Sequence, residues 1–306
     1  MTAAVEASFC ELSSSSVVTV SGEEAVSFLH SQLTSDVAGL AVNRAQFSGY
    51  CSPKGRLYAV FLLVRREGDV LLQMPRTLGA AIVQRLSKYV LRSRVRVSDA
   101  TDRFNLFGIM GGEACSALGA PERPHEASSV AGALLTRLDE NRALVITDVD
   151  RTMAWRERLQ RFDQVDEHLW NLMDIRAGVP TISPATQEEY VPQMLNLDVL
   201  GGVTYSKGCY PGQEIVARTH YLGRIKQRMH RIQVRTGAAL NPGDRLYSTH
   251  FGEQASGSVV RAEPVNSSTQ EALAVLQIES AQIGDVRYGA PDGPTVELLS
   301  LPYLSR

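Results

Sequence analysis

The sequence predicts an α+β fold in more than one domain. Three observations carry this. Apolar strand patterns come in pairs beside short amphipathic helices, without the strict strand–helix alternation of a doubly wound sheet. After Arg228 the texture changes to short alternating strands, separated by turns such as Asn241-Pro242-Gly243-Asp244 and Ala290-Pro291-Asp292-Gly293-Pro294, the pattern of a small β-barrel or sandwich. At 306 residues the chain exceeds what one small core organises, so two or three domains are expected.

Each element follows from its pattern. Val17-Val18-Thr19-Val20 is a β-branched run and reads as a strand. A helix starts at Ser21 or Gly22 and runs from Glu23 to Leu33, because Ala25, Phe28, Leu29 and Leu33 share one apolar face. His30 and Gln32 fall off that face and read as solvated; Asp36 then caps or turns the chain. Leu57 to Val64 is apolar enough for a buried strand, Arg65-Arg66-Glu67-Gly68-Asp69 is its turn, and Val70 to Met74 returns. Pro75 opens a helix in which Leu78, Ile82, Leu86 and Val90 recur every four residues. Strands near 95–97 and 105–110 follow, then Gly111-Gly112 and a short helix from Glu113 to Leu118. Residues 119–132, rich in Pro, Gly, Ser and Ala, read as a loop, and Ala143 to Thr147 as a strand. Asp163 to Met173 reads as a helix with Val165, Leu169, Leu172 and Met173 inward and Trp170 in the core rather than offered for stacking.

Composition bounds the function. Hydrophobic content of 44% and charged content of 21% fit a globular protein in water. A net charge of −2 excludes a general polyanion binder. Charge is nevertheless focused: residues 51–100 hold ten Lys or Arg against three acids, and residues 203–235 hold seven against Glu214 alone, which suggests an anion site. The cysteines, Cys10, Cys51, Cys115 and Cys209, form no C-x-x-C pair, and a reducing compartment fits them. Met1 to Ser15 has neither the basic flank nor the apolar core of a targeting segment, and no apolar run of about 20 residues occurs, so the cytoplasm is expected. No dinucleotide fingerprint or Walker loop is present.

One stretch stands out: Lys207-Gly208-Cys209-Tyr210-Pro211-Gly212-Gln213-Glu214, continuing through Ile215, Val216, Ala217 and Arg218. It reads as a tight turn feeding a helix. Gly208 and Gly212 permit backbone angles other residues resist, and Pro211 pre-sets one turn position. Cys209 is then expected just before the helix start, where backbone N–H groups and the helix dipole favour an anion, with Lys207 and Arg218 nearby. A free thiol has a pKa of about 8.5, and such surroundings lower it. The residues describe a reactive or metal-ligating thiol in a basic turn; taken on spacing alone, a small buried hydrophobe is the competing reading.

The stretch resembles the signature of the YgfZ-type folate-binding proteins, Lys-Gly-Cys-aromatic-x-Gly-Gln-Glu or Asp. These are relatives of the glycine cleavage T-protein, a tetrahydrofolate-dependent aminomethyltransferase. Phe28-Leu29-His30-Ser31-Gln32-Leu33-Thr34-Ser35-Asp36-Val37 resembles the family's N-terminal segment, Cys51-Ser52-Pro53-Lys54-Gly55-Arg56 its second landmark and Leu91-Arg92-Ser93-Arg94-Val95 its third. Arg176-Ala177-Gly178-Val179-Pro180 and Pro192-Gln193-Met194-Leu195-Asn196-Leu197 lead into the signature, and Val216-Ala217-Arg218-Thr219-His220 follows it.

The resemblance implies a three-domain ring around a central channel. Residues 1–48 with 151–225 would form the first α+β domain, 49–150 an inserted ferredoxin-like domain, and 226–306 a C-terminal β-barrel. It also implies a tetrahydrofolate-binding accessory protein for iron–sulfur cluster assembly or repair, away from membranes, with iron–sulfur carriers or clients as partners. Cys209 as thiolate would ligate iron transiently, exchange with a partner's cluster or form a mixed disulfide. A partner, a second copy or a small thiol must complete the set of about four donors. Lys207 and Arg218 would stabilise the anion. Tyr210, Gln213, Glu214, Arg218 and Arg176 are the implied folate contacts, with Tyr210 equally readable as a core anchor. The basic segments suit a folate's glutamate tail, whereas nucleic acid calls for aromatic interleaving, which is sparse along the chain.

Two departures matter. T-proteins carry adjacent aspartates after the second landmark, one of them catalytic, where this chain has Ala59 and Val60. Aminomethyl transfer wants a carboxylate near the reacting nitrogen, so that activity is disfavoured. The pterin-recognising Glu of T-proteins, before Ala-Gly, is here Arg176. A third reading makes Cys209 a nucleophile with His220 as base; such partners meet in space, not in sequence.

Overall fold

The computed structural model describes residues 6–304, so the first five residues of the stretch read for a targeting signal lie outside it. The chain divides into two compact units. One takes the residues up to Gln32, Asp36–Phe47 and Phe61–Trp170; the other takes Leu33–Ser35, Ser48–Val60 and Asn171 onward. Strands Arg44–Cys51 and Leu57–Arg65 and helix Glu167–Ala177 each begin in one unit and end in the other. Among the described residues no helix is long and apolar enough to cross a membrane.

The first unit holds a six-stranded sheet in the order Asp163–Gln164, Ser8–Glu11, Phe104–Met110, Arg142–Asp148, Ala133–Asp139, Ala127–Val130. Its apolar side gathers Phe107, Ile109, Leu135 and Val145 against Cys115 and the fully buried Trp155 and Leu159 of helix Thr152–Leu159. Trp170 is core, as expected: it lies so close over Gly108 that a Cβ there would meet the indole at 2.3 Å. In the second sheet Ser15–Ser21 pairs with Asp69–Pro75 and Arg96–Asp99. Helix Arg76–Ser87 buries Leu78, Ile82 and Leu86, the face its period predicts.

The second unit holds six antiparallel strands in the order Val286–Tyr288, Arg245–Ser248, Ala255–Asn266, Thr269–Gln277, Gln227–Arg235, Val296–Leu299. Alternate residues Ile232, Val234, Ala272, Ala274 and Leu276 point into its core. The same unit carries helix Gln213–Tyr221.

The structure departs from the sequence reading where local signals are short. The stretch 119–132 is not all loop, since Ala127–Val130 adds an edge strand. Strands Ser8–Glu11, Arg44–Cys51 and Ala133–Asp139 and helix Thr152–Leu159 carry too little periodicity to announce themselves. The helix expected at Asp163 starts at Glu167: Asp163 and Gln164 pair with Ser8 and Phe9, and the Asp166 carboxylate accepts the His168 N–H at 2.8 Å as an N-terminal cap.

Candidate functional site

Two landmarks distant in sequence meet backbone to backbone. Gly212 adopts φ +80°, and a Cβ on it would stand 2.4 Å from the Ser52 carbonyl oxygen and 2.6 Å from the Gly55 Cα. Gly55 is likewise left-handed, at φ +70°, and a Cβ there would meet Ile215 at 2.9 Å. Only glycine satisfies both the angle and the closeness. The turn 52–56 is closed by Gly55 N–H to Ser52 O at 2.8 Å and Ser52 N–H to Arg56 O at 2.7 Å. Gly208, in contrast, has neither a left-handed angle nor an atom near its Cβ direction, so the expectation that it too needs glycine's freedom is corrected.

The helix begins at Gln213, with Gly212 as its cap residue, so Cys209 lies in the turn before it and not at its mouth as expected. Tyr210, Pro211 and Gly212 are spent completing that turn; the Gln213 N–H returns to the Tyr210 carbonyl at 3.1 Å. Lys207 donates from Nζ to the Leu33 carbonyl at 2.6 Å and sits 4.9 Å over the Tyr210 ring. Tyr210 is buried, and burial, with Cys51 and Tyr205 adding to it, pushes its hydroxyl far up from the ordinary tyrosine value. Its ring is thus a core anchor for the turn. Gln213 donates to the Lys207 carbonyl at 3.3 Å and fastens the turn from the other side. With these residues held below, Cys209, Glu214 and Arg218 are exposed. Cys10, Cys51 and Cys115 are all buried, and burial raises the thiols of Cys51 and Cys115, the latter to about 11.

Arg176 belongs to a different cluster. Its guanidinium pairs with Glu271 at 2.9 Å, and Arg231 pairs with the same carboxylate at 2.8 Å. Burial works to raise the Glu271 pKa, but the hydrogen bonds and charges of Arg176 and Arg231 outweigh it and hold the carboxyl below its ordinary value. Arg176 remains 42% exposed at this pairing. Ala59 and Val60 are buried in strand Leu57–Arg65 and present no carboxylate. His220 is exposed and stacks flat on Tyr205, ring centroids 3.8 Å apart at 13°.

Three contributors are not singled out by the sequence reading. Gln193, fully buried, donates to the Val216 carbonyl at 2.7 Å and the Tyr205 hydroxyl at 3.3 Å, while its Oε1 is buried with no hydrogen-bond partner among the described residues. Tyr205 and Glu271 are the others; each acts through a partner far along the chain. Only Pro192-Gln193 inside a recognised landmark hinted at the first.

Residues 2–131 match the GCVT N-terminal domain family. The "tRNA-modifying protein YgfZ" of Vibrio atlanticus (strain LGP32) is 30% identical over 215 residues, covering 70% of this chain and 66% of the relative. The protein of the same name from Yersinia pseudotuberculosis serotype O:1b (strain IP 31758) is 29% identical over 298 residues, covering 94% and 89%. The crystal structure of glycine cleavage system aminomethyltransferase T from Bartonella henselae superposes with a TM-score of 0.79 at 17% identity, over 97% of this chain and 86% of that one. The mixed α+β fold is therefore similar to that of the aminomethyltransferase. With its signature turn locked onto the second landmark and relatives of one name along most of its length, the chain belongs to the YgfZ family of proteins related to the glycine cleavage T-protein.

Proposed function

We propose that this chain is a tetrahydrofolate-binding accessory protein that supports iron–sulfur cluster assembly or repair in the cytoplasm through Cys209. The observation that carries the reading is the contrast among its thiols: Cys209 is exposed on a turn fastened by Lys207 and Gln213, and the remaining three are buried. Thiolate is the natural ligand of an iron–sulfur cluster, and full ligation takes about four donors. Among the described residues no three His, Cys, Asp or Glu side chains gather to hold a metal. A carrier, a client, a second copy or a small thiol therefore supplies the other ligands, and the cluster is cargo. The relatives are named tRNA-modifying proteins; on this reading the client is an iron–sulfur enzyme that modifies tRNA.

Folate fits the same region in part. A folate tail is a carboxylate, and the exposed Arg218 offers a guanidinium to it; Arg176, already paired with Glu271 in a separate cluster, would contribute only through its exposed part. Gln213 and Glu214 would orient a ligand at the first turn of the helix, with Tyr210 supporting them from below and Lys207 steadying the turn that carries the thiol. Bound reduced folate would supply a one-carbon carrier and a readily oxidised ring. The three-domain division at 1–48 with 151–225, 49–150 and 226–306 belongs to this reading. The alternative, aminomethyl transfer, finds no carboxylate at Ala59 or Val60.

The test is genetic and biochemical. Cells lacking the protein lose activity across a panel of iron–sulfur enzymes under oxidative stress, and Cys209→Ser fails to restore it. Full restoration by Cys209→Ser overturns the thiol's role. Tetrahydrofolate at about 100 times its Kd adds about 2.7 kcal/mol to stability by mass action; an unmoved melting temperature removes folate and leaves the thiol to be judged alone.

A further inference from the structure

The C-terminal end of the signature helix carries a surface that the thiol chemistry leaves unused. Helix Gln213–Tyr221 ends where the N–H groups of Leu222 and Gly223 both return to the Arg218 carbonyl, at 2.9 and 2.8 Å. Beyond this point no Asp or Glu occurs until Asp244. Arg218, Arg224 and Lys226 are exposed, and among the described residues none of them has an acidic partner. Arg228 and Arg231, further on, are consumed by Asp198 and Glu271. The unpaired cations therefore concentrate at the helix end.

An aromatic group stands among them. Tyr205 and His220 stack face to face, and Tyr221 meets Tyr205 edge-on at 6.0 Å and His220 edge-on at 4.7 Å. Tyr221 is 66% exposed and Leu222 85% exposed. Tyr205 is held by Gln193 beneath, so the stack has a fixed base. A solvated helix end explains the cations, since positive charge complements the C-terminal dipole. It does not explain a tyrosine and a leucine left in water beside a preformed stack. Exposed ring faces interleaved with unpaired cations are what single-stranded nucleic acid requires: phosphates take the cations, and unstacked bases lengthen the aromatic ladder. In sequence the interleaving looked sparse because Tyr205 reaches His220 only through the fold.

We propose that Tyr205, His220 and Tyr221, with Arg218, Arg224 and Lys226, form a binding surface for single-stranded RNA. Charge complementarity selects a polyanion, and the stack selects one with aromatic bases over an acidic peptide. Arg218 alone is shared with the folate reading; Tyr205, His220, Tyr221, Arg224 and Lys226 take no part in it.

Fluorescence anisotropy of a short labelled oligoadenylate with the full chain tests it. For single strands each neutralised phosphate contributes about −0.7 to the slope of log affinity against log salt, so three cations give about −2. The double variant Arg224→Ala/Lys226→Ala flattens that slope by about 1.4. Tyr221→Ala weakens binding by about 5-fold or more, the loss of one stacked base, and Tyr221→Phe restores it. Melting temperatures of these exposed-site variants stay at that of the parent chain. Photocrosslinking of a thiouridine-substituted strand, which needs no variant, maps to peptides holding residues 205 or 218–226. Binding that is indifferent to all three variants, or a crosslink elsewhere, overturns the proposal. So does displacement of the RNA by polyglutamylated folate or by polyglutamate alone, which would assign the cations to a folate tail or to an acidic protein.

Discussion

The turns at Cys51 and Cys209 are built from the same parts and end in opposite chemistry. Each places a cysteine two residues before a proline and follows with a left-handed glycine, Gly55 in one and Gly212 in the other, and those glycines touch. Yet Cys51 closes a strand and is 1% exposed, while Cys209 sits in an irregular turn and is open to solvent. What separates them is the element that precedes each. Strand Arg44–Cys51 ends in four consecutive buried residues, Ser48 to Cys51, so Cys51 is enclosed whichever way it points, and burial pushes its thiol far up. No such strand encloses Cys209. Residue type and spacing do not make a reactive thiol; the backbone that presents it does.

The largest expected effect is chemical. With iodoacetamide at neutral pH, peptide mapping finds Cys209 modified at least about 100-fold faster than Cys51 or Cys115. A thiol raised to about 11 loses more than two decades of thiolate against a free cysteine before access is even counted. Comparable rates at the two turns would erase the contrast.

The next tests the junction. Gly212→Ala must relieve a Cβ 2.4 Å from the Ser52 oxygen as well as a left-handed angle, and costs about 3 kcal/mol in denaturant unfolding. Gly208→Ala, at an unobstructed position in the same signature, stays within about 0.5 kcal/mol. Equal losses would mean that the two landmarks do not depend on their contact.

The smallest uses a site apart from both turns. Removing one partner of a buried pair costs about 3–5 kcal/mol, and Glu271→Gln falls below this, at about 2, because Arg176 is partly exposed. Glu271 has a folded pKa below its ordinary value of 4.5, so its contribution is complete above that value. It is lost as pH falls from there through the lowered pKa. The variant accordingly shows a shallower loss of stability on acidification. It leaves the alkylation ratio of Cys209 to Cys51 unchanged; a changed ratio would show that the thiol contrast reflects global stability and not local backbone.

How much of this was legible follows from distance along the chain. The signature, its helix and the left-handed Gly212 lie in contiguous residues and could be read directly. Helix Arg76–Ser87 declares itself through period, and the strands at 57–65 and 69–75 through continuous apolar runs joined by a polar turn. Four-residue strands such as Ser8–Glu11 and Ala127–Val130 do not, because their partners and not their own pattern define them. The same holds at the site. Lys207 reads as a cation beside a thiol, and only the fold reveals that its ammonium is engaged by Leu33 and Tyr210. The Tyr205–His220 stack, the tether from Gln193 and the capture of Arg176 by Glu271 all join residues that no local window contains.

The seat of Gly212 against Ser52 and Gly55 also sets an order of events. A nascent chain carries the second landmark long before the ribosome has made the signature. The loop that must close between them is long, and its entropy is met only when both ends exist. The turn that presents the thiol is thus seated only once both landmarks exist, and a polypeptide stalled between them lacks it.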